Sequence, residues 1–350
     1  MNDPLIDALH LALPAAGIDT AGLVLQRLPD TGLAHDHVRL VGRGLLARVP
    51  KQSQMGLSAE HNLAYQAACF TRAAASGHMP VLHGVLPPQP GHPALARGAL
   101  LVQEIVGRPL PLPDGLPALV DALAALHRLP LPPAEARAPL QDPADPLAAL
   151  AMEIEAQAAH LPAAALAPAS RRGIDGALAD WRRTLAAPAR PPKRLISFDA
   201  HPGNFLLQPD GRAVLVDLEK ARYGPPPLDL AHATLYTSTT WDVATRADLP
   251  LAAVRDAQMR WLQAVGEHDL WHPWLLPLRN AMWLWAVTWC AKWRVQSAAA
   301  RSAGADGEDW SAERSDPALV AHVRGRVDHY LSPAGVARVL DELAALRANG

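Results

Sequence analysis

The chain has 350 residues, half of them hydrophobic and 19% charged, with a formal net charge of −2. That length can bury a large core and suits two packed lobes or one large domain, and the lack of a basic excess excludes a chain built to neutralise nucleic-acid phosphates. Two cysteines, Cys69 and Cys290, are too few for a disulfide framework or a zinc site and favour a reducing cytoplasm. The start, Met1-Asn2-Asp3-Pro4, carries acid where a secretory signal carries base, and the most apolar stretch, Ala281 to Ala291, is well short of a membrane span. A cytoplasmic protein with neither a membrane nor a nucleic-acid partner is expected.

Apolar spacing from Pro4 to Ala15 predicts a short helix. Strands follow at Leu23–Leu28, His37–Val41 and Gly44–Val49, and the loop between the first two holds one glycine, Gly32. Alternation along the third strand puts Leu45, Ala47 and Val49 on one face and Leu46 with Arg48 on the other. Ser58 is a plausible N-cap for a helix running to Ser76, with Glu60 in its first turn. Strands at Pro80–His83 and Ala99–Val106 complete a small antiparallel sheet. Beyond Gly107 the character becomes helical. An Ala/Leu-periodic helix spans Leu116–Leu129, in which His127 reads as a packed structural histidine. A proline-rich connection covers 130–146, and helices follow at Pro146–His160 and Ile174–Leu185.

The segment Ile196–Ala231 reads ISFDAHPGNFLLQPDGRAVLVDLEKARYGPPPLDLA. A short apolar run enters a polar loop with Asp199, His201 and Asn204, and a hairpin then turns at Pro209-Asp210-Gly211. The second strand carries Asp217 back towards Asp199 and Asn204. Mg²⁺ takes oxygen ligands, commonly one or two carboxylates plus phosphate oxygens, and Asp217 with Asn204 would supply such a partial shell. Asp199 is left over as a carboxylate able to accept a hydroxyl proton beside a metal-bound triphosphate.

From Asp229 a helix continues to Thr240, and another covers Pro250–Val265. Trp285, Trp289 and Trp293 recur at helical spacing and share one face. A buried aromatic helix is the plain reading, and a cage for an amino or quaternary cation is the sharper one. Asp306, Glu308, Asp309, Glu313 and Asp316 read as a solvated loop, with an acidic lip for a cationic substrate as the alternative. A last helix, Ser332–Ala348, aligns Val336, Val339, Leu340, Leu343 and Leu346 on one stripe.

The letters S-F-D-A-H-P-G-N, then V-D-L-E, then D-L-A resemble the aminoglycoside phosphotransferase and choline kinase superfamily, whose usual pattern is H-G-D-x-H-x-x-N, a hairpin, I-D-[FW]-[EG] and D-[LI]-A. The resemblance implies an α+β, protein-kinase-like bilobal fold. A small antiparallel sheet with one helix would form an N-terminal nucleotide-binding lobe over 1–106, and a larger, mostly helical catalytic and substrate-binding lobe would cover 107–350. It also implies ATP and Mg²⁺ as cofactors and transfer of the γ-phosphate to a hydroxyl of a small molecule, an aminoglycoside-like antibiotic or an amino alcohol or other metabolite. Asp199 would be the base, Asn204 and Asp217 the Mg²⁺ ligands, and His201, Glu219 and Asp229 supporting residues, with Asp229 bracing the loop. Gly32 would belong to a phosphate-covering loop, Arg48 or Lys51 would pair the phosphates with Glu60 as ion-pair partner, and the backbone of Glu104 to Val106 would hold adenine. Ser197-Phe198 stand where the family usually has His-Gly. That departure keeps open a kinase-fold nucleotide-binding regulator with weak or no transfer activity.

Overall fold

The computed structural model describes residues 3–29, 34–89, 91–297 and 317–348. Helix α1 (Pro4–Ala12) starts where the Asp3 carboxylate accepts the Leu5 amide and Pro4 occupies the first turn, where its missing N–H costs nothing. Next come β1 (Leu25–Arg27), β2 (His35–Leu40), β3 (Leu45–Pro50), α2 (Ala59–Ala73), β4 (Leu82–Leu86) and β5 (Ala99–Gln103). The five strands form one sheet in the order β1-β2-β3-β5-β4, antiparallel throughout. Alternation in β3 divides its side chains between two cores. Ala47 and Val49 pack with Leu9, Val38 and Leu40, whereas Leu46 packs on the opposite side with Leu63 and Phe70 of α2.

β5 ends at Gln103, short of the expected Val106, because the chain turns there into a second sheet. β6 (Arg108–Pro109) pairs as an edge strand with the hairpin that turns at Pro209-Asp210-Gly211, a position that tolerates proline's missing donor. The helical lobe follows with α3 (Leu116–His127), α4 (Pro146–Ala158) and α5 (Pro168–Ala186). α5 begins six residues before the expected Ile174, since Gly173 and the arginines around it mask the apolar period. A Cβ at Gly173 would come within 2.9 Å of Leu340 and Val336, so glycine there lets two helices approach closely. β7 (Arg194–Ile196), β8 (Phe205–Leu207), β9 (Ala213–Leu215) and β10 (Arg222–Gly224) come next. β8 and β9 form the expected hairpin, and β7 pairs with β10 in a two-stranded sheet too short for periodicity to reveal.

The helix expected from Asp229 through Thr240 is two pieces, α6 (Pro227–Thr234) and α7 (Tyr236–Thr239), broken at Leu235, whose ψ of 140° leaves the helical region. α8 (Leu251–Val265), α9 (His268–Ser297), α10 (Pro317–Tyr330) and α11 (Pro333–Arg347) complete the chain. α9 runs 30 residues despite internal Pro273 and Pro277. Its Trp283 and Trp293 are buried while Trp285 and Trp289 are half-buried. The acidic stretch Asp306–Asp316 lies outside the described residues.

Two lobes result, and one continuous core runs between them, joining Leu63, Phe70, Leu100 and Val102 of the sheet lobe to Leu119, Leu123, Phe205 and Leu215 of the helical lobe. The loop that carries Asp199 and the hairpin after it are therefore anchored to both. Among the described residues, no helix is long and apolar enough to cross a membrane.

Candidate active site

The loop between β7 and β8 is fixed from below. Asp229, fully buried near the start of α6, accepts the Ser197 amide at 2.7 Å on one oxygen and the Phe198 amide at 2.8 Å on the other. His127 Nε2 sits 3.2 Å from the first of those oxygens, and Trp261 Nε1 lies 2.9 Å from His127 Nδ1. An indole N–H can only donate, so His127 Nδ1 accepts and its Nε2–H donates to Asp229. His127 is thus packed, and it also sets the orientation of the carboxylate that holds the loop.

Phe198 occupies the position of the family's usual glycine with φ at 58°, a left-handed conformation that costs a non-glycine residue about 1–2 kcal/mol. Its ring offsets that strain. It is buried, meets Trp285 edge-on with centroids 5.2 Å apart, and carries the Arg222 guanidinium 3.7 Å above it. The Ser197 hydroxyl accepts the Asp199 amide at 3.1 Å. The substitution therefore keeps the turn while replacing glycine's freedom with packing.

A short 3₁₀ turn, Pro202–Asn204, then delivers Asn204, whose Nδ2 donates to the Asp199 carbonyl at 2.8 Å. Because a carbonyl takes the amide nitrogen, the amide oxygen of Asn204 remains available as a hard oxygen donor. The Asn204 carbonyl accepts the Val216 amide at 2.9 Å, which fixes Asp217 beside it. Lys220 Nζ lies 3.0 Å from Asp199 Oδ2. Burial, the largest single influence, would raise the Asp199 pKa, but the Lys220 ammonium together with His201 and His232 holds the carboxyl below the usual range.

Arg48, buried on β3, bridges the lobes by donating to the Val216 carbonyl at 2.8 Å and to Asp217 Oδ1 at 2.9 Å, with its guanidinium 5.4 Å from the Phe70 ring centre. Burial, the largest single influence, disfavours the Asp217 carboxylate, yet Arg48, His35, Lys220 and the Glu219 amide together hold it far below the ordinary value. His35 Nδ1 lies 3.5 Å from Arg48 Nη2 and must accept, so its Nε2–H donates to Gln66 Oε1 at 3.0 Å. Burial, with Arg48 beside it, pushes His35 down to about 3. Gln66 Nε2 reaches the buried Glu219 carboxyl at 3.5 Å, and burial together with Asp217 pushes Glu219 up to about 8. His232, 6.1 Å from the His201 ring, is driven down to about 4 by burial.

The other expected site residues lie as follows. Lys51 follows β3, half-buried, its amide bonded to the Ala34 carbonyl. Glu60 is exposed in the first turn of α2 and does not reach Arg48, whose carboxylate partner is Asp217. One turn and a half further along, Gln66 is the residue that α2 turns into the site. Glu104 sits after β5, its amide bonded to the Gly44 carbonyl and its carboxylate to Arg39, and Val106 is 69% exposed at the lobe junction. Gly32 lies outside the described residues. Sequence reasoning missed Lys220, although the chain has only four lysines and this one follows the V-D-L-E run directly. It also missed His35 and Gln66, which carry no motif and join the site only through the fold.

The residues present suit a divalent cation that is completed by phosphate. Asp217 and Asn204 offer two hard oxygen donors, and among the described residues no group of three or more His, Cys, Asp or Glu is placed to hold a metal unaided.

The model of the phosphotransferase enzyme family matches residues 37–271 of this chain. No curated protein sequence matches it. Among solved structures, a choline/ethanolamine kinase family protein from Mesorhizobium loti is 18% identical with a TM-score of 0.56, and the alignment covers 99% of this chain and 100% of that one. The GDP complex of aminoglycoside 2'-phosphotransferase-IIIa is 15% identical with a TM-score of 0.60, covering 96% and 99% respectively. A macrolide 2'-phosphotransferase from Brachybacterium faecium is 16% identical with a TM-score of 0.55, covering 91% and 98%. The bilobal α+β fold is thus shared over nearly the whole chain, and the family match spans most of the sheet lobe and the whole segment from Ile196 to Ala231. This chain belongs to the phosphotransferase enzyme family.

Proposed function

We propose that the protein transfers the γ-phosphate of ATP to a hydroxyl group of a small molecule, with Asp199 as the base. The observation that carries this reading is the chain of contacts from Asp199 through Asn204 to Val216 and Asp217, which gathers two carboxylates and an amide oxygen on one rigid loop and hairpin. Asp199 would accept the acceptor's proton and orient its oxygen towards phosphorus. Asn204 Oδ1 and Asp217 would hold Mg²⁺, which when bound bridges phosphate oxygens and neutralises their charge. Arg48, swung from Asp217, would meet the phosphates, with Lys51 beside the same strand end, while Glu104 to Val106 offer backbone groups to adenine. Lys220 keeps Asp199 ionised until an acceptor hydroxyl takes its place. His201, His232 and Trp285 adjoin the base and would contact the acceptor. The solved relatives bear the names of choline/ethanolamine, aminoglycoside and macrolide kinases, so those alcohols form the first panel, and an amino alcohol is favoured by the D-x-E segment and the tryptophans of α9.

A nucleotide-binding regulator is the second reading. In its favour, Asp199 and Asp217 are each already paired, with Lys220 and Arg48, so their proximity demands no cation. ADP release with Mg-ATP against pooled amino alcohols, aminoglycosides, macrolides and sugars separates the two. Turnover stimulated by one pool and abolished by Asp199→Asn is expected. Mg-ATP binding without turnover in any pool would favour the regulator, and no ATP binding would defeat both readings.

A further inference from the structure

A cavity of about 380 Å³ opens between the first turns of α4, the β7/β10 pair and residues 141–143. Asp199, Asn204 and Asp217 do not line it. What it shares with the catalytic loop is Phe198, whose ring forms part of its wall. On α4, Pro146, Ala149, Leu150 and Glu153 recur at helical spacing and face the cavity together. Ile196, Pro225 and Leu228 add further apolar surface. A mostly apolar hollow of this volume with a few convergent polar groups has the character of a small-molecule site.

Its charged groups select the class of occupant. Asp142 is held by Lys193 and Arg137, and Glu153 accepts Arg222 on one oxygen and Trp285 Nε1, at 3.1 Å, on the other. Both lining carboxylates are therefore already neutralised, Asp142 by cations behind the wall, and Arg222 is the one cation among the residues that line the cavity. Arg222 lies over the Phe198 ring, with Nη1 on Glu153 and Nε 3.5 Å from the Lys220 carbonyl. A guanidinium carries five N–H donors. Among the described residues, Nη2 makes no hydrogen bond.

We infer that this cavity binds a small organic anion, a carboxylate or phosphate ester on an apolar body. The anionic oxygens would lie on Arg222 Nη2 and the body against Pro146, Leu150 and Phe198. Charge-assisted bonds to a guanidinium are the strong ones, so the anionic head should dominate selectivity. The inference is independent of phosphoryl transfer, because the site stands apart from the metal and base residues.

Fluorine NMR titration of the full chain with para-fluorobenzoate, para-fluorophenyl phosphate, para-fluorobenzylamine and para-fluorobenzyl alcohol tests it. One or both anions should bind saturably, about tenfold or more tighter than the amine and the alcohol, and comparison of the two anions identifies the preferred head group. Arg222→Gln should weaken the anions about tenfold, Ala149→Phe should block the hollow, and Mg-ATP should not displace the probe. Ala149→Phe alone decides the matter if Arg222→Gln does not fold, with thermal melting as the check. Equal binding of amine and anion, anion binding that survives Ala149→Phe, displacement by Mg-ATP, or no saturable binding at millimolar probe would overturn the proposal.

Discussion

Asp229→Asn tests the architecture of the catalytic loop. The carboxylate now accepts three donors, the Ser197 and His127 groups on one oxygen and the Phe198 amide on the other. Asparagine has one oxygen. Turned towards Phe198, it would aim its NH₂ at the Nε2–H of His127, which cannot change tautomer while Trp261 donates to Nδ1. It must therefore turn towards Ser197 and His127, leaving the Phe198 amide facing an NH₂ group. One charged hydrogen bond is lost, a buried donor is left unsatisfied, and the two remaining bonds lose their charge. Together these cost about 3–5 kcal/mol. The residue released is the one held at positive φ directly before Asp199. A shift of the base by a fraction of an ångström should lower kcat about 100-fold while KM for ATP changes less than about threefold. Urea denaturation and steady-state ADP release measure both effects. Adding Trp261→Phe frees the histidine tautomer, so the double variant should be more stable than the sum of the single losses by about 1 kcal/mol. A single variant within about 1 kcal/mol of wild type, or strict additivity in the cycle, would refute the reasoning.

Phe198→Gly should relieve about 1–2 kcal/mol of backbone strain but remove a buried ring worth about 3–5 kcal/mol, for a net loss of roughly 1–4 kcal/mol, readable by chemical denaturation; a stabilised variant would contradict the packing account. His232, held at about 4 in the folded state against an ordinary 6.5, binds fewer protons folded than unfolded between those values. Stability should therefore rise as pH increases from about 4 to 6.5, by up to about 3 kcal/mol from this residue, and melting of His232→Gln across that window should show a flatter profile. Arg48→Met strands the Asp217 carboxylate and should cost about 3 kcal/mol; added Mg²⁺ should restore more melting temperature in this variant than in wild type. Glu60→Ala, at an exposed first-turn position, should change stability by less than about 0.5 kcal/mol and leave KM for ATP unaltered; a large KM effect would return Glu60 to the nucleotide site.

The sequence by itself determined the parts whose information is local. Alternation in Leu45–Val49 settles the two faces of β3, Pro209-Asp210-Gly211 turns the hairpin, and the spacing from Asp199 through Asn204 to Asp217 and Asp229 identifies the segment around which the family is built. The Ser58 cap and the apolar stripe of the last helix were legible for the same reason. Tertiary structure alone decided which distant groups meet. Arg48 reaches Asp217 across 169 residues, and Gln66, not Glu60, turns from α2 towards Glu219. Lys220 finds Asp199 only once the hairpin has closed, and β7 and β10 are three-residue strands whose pairing depends on the loop between them being held. Phe198 is the plainest case. Sequence marks it as a departure from glycine, and only the packing of Trp285 and Arg222 around its ring explains how a bulky side chain keeps a left-handed turn. Such pairings depend on loop closure and burial, which act over the whole chain and leave no period or motif in it.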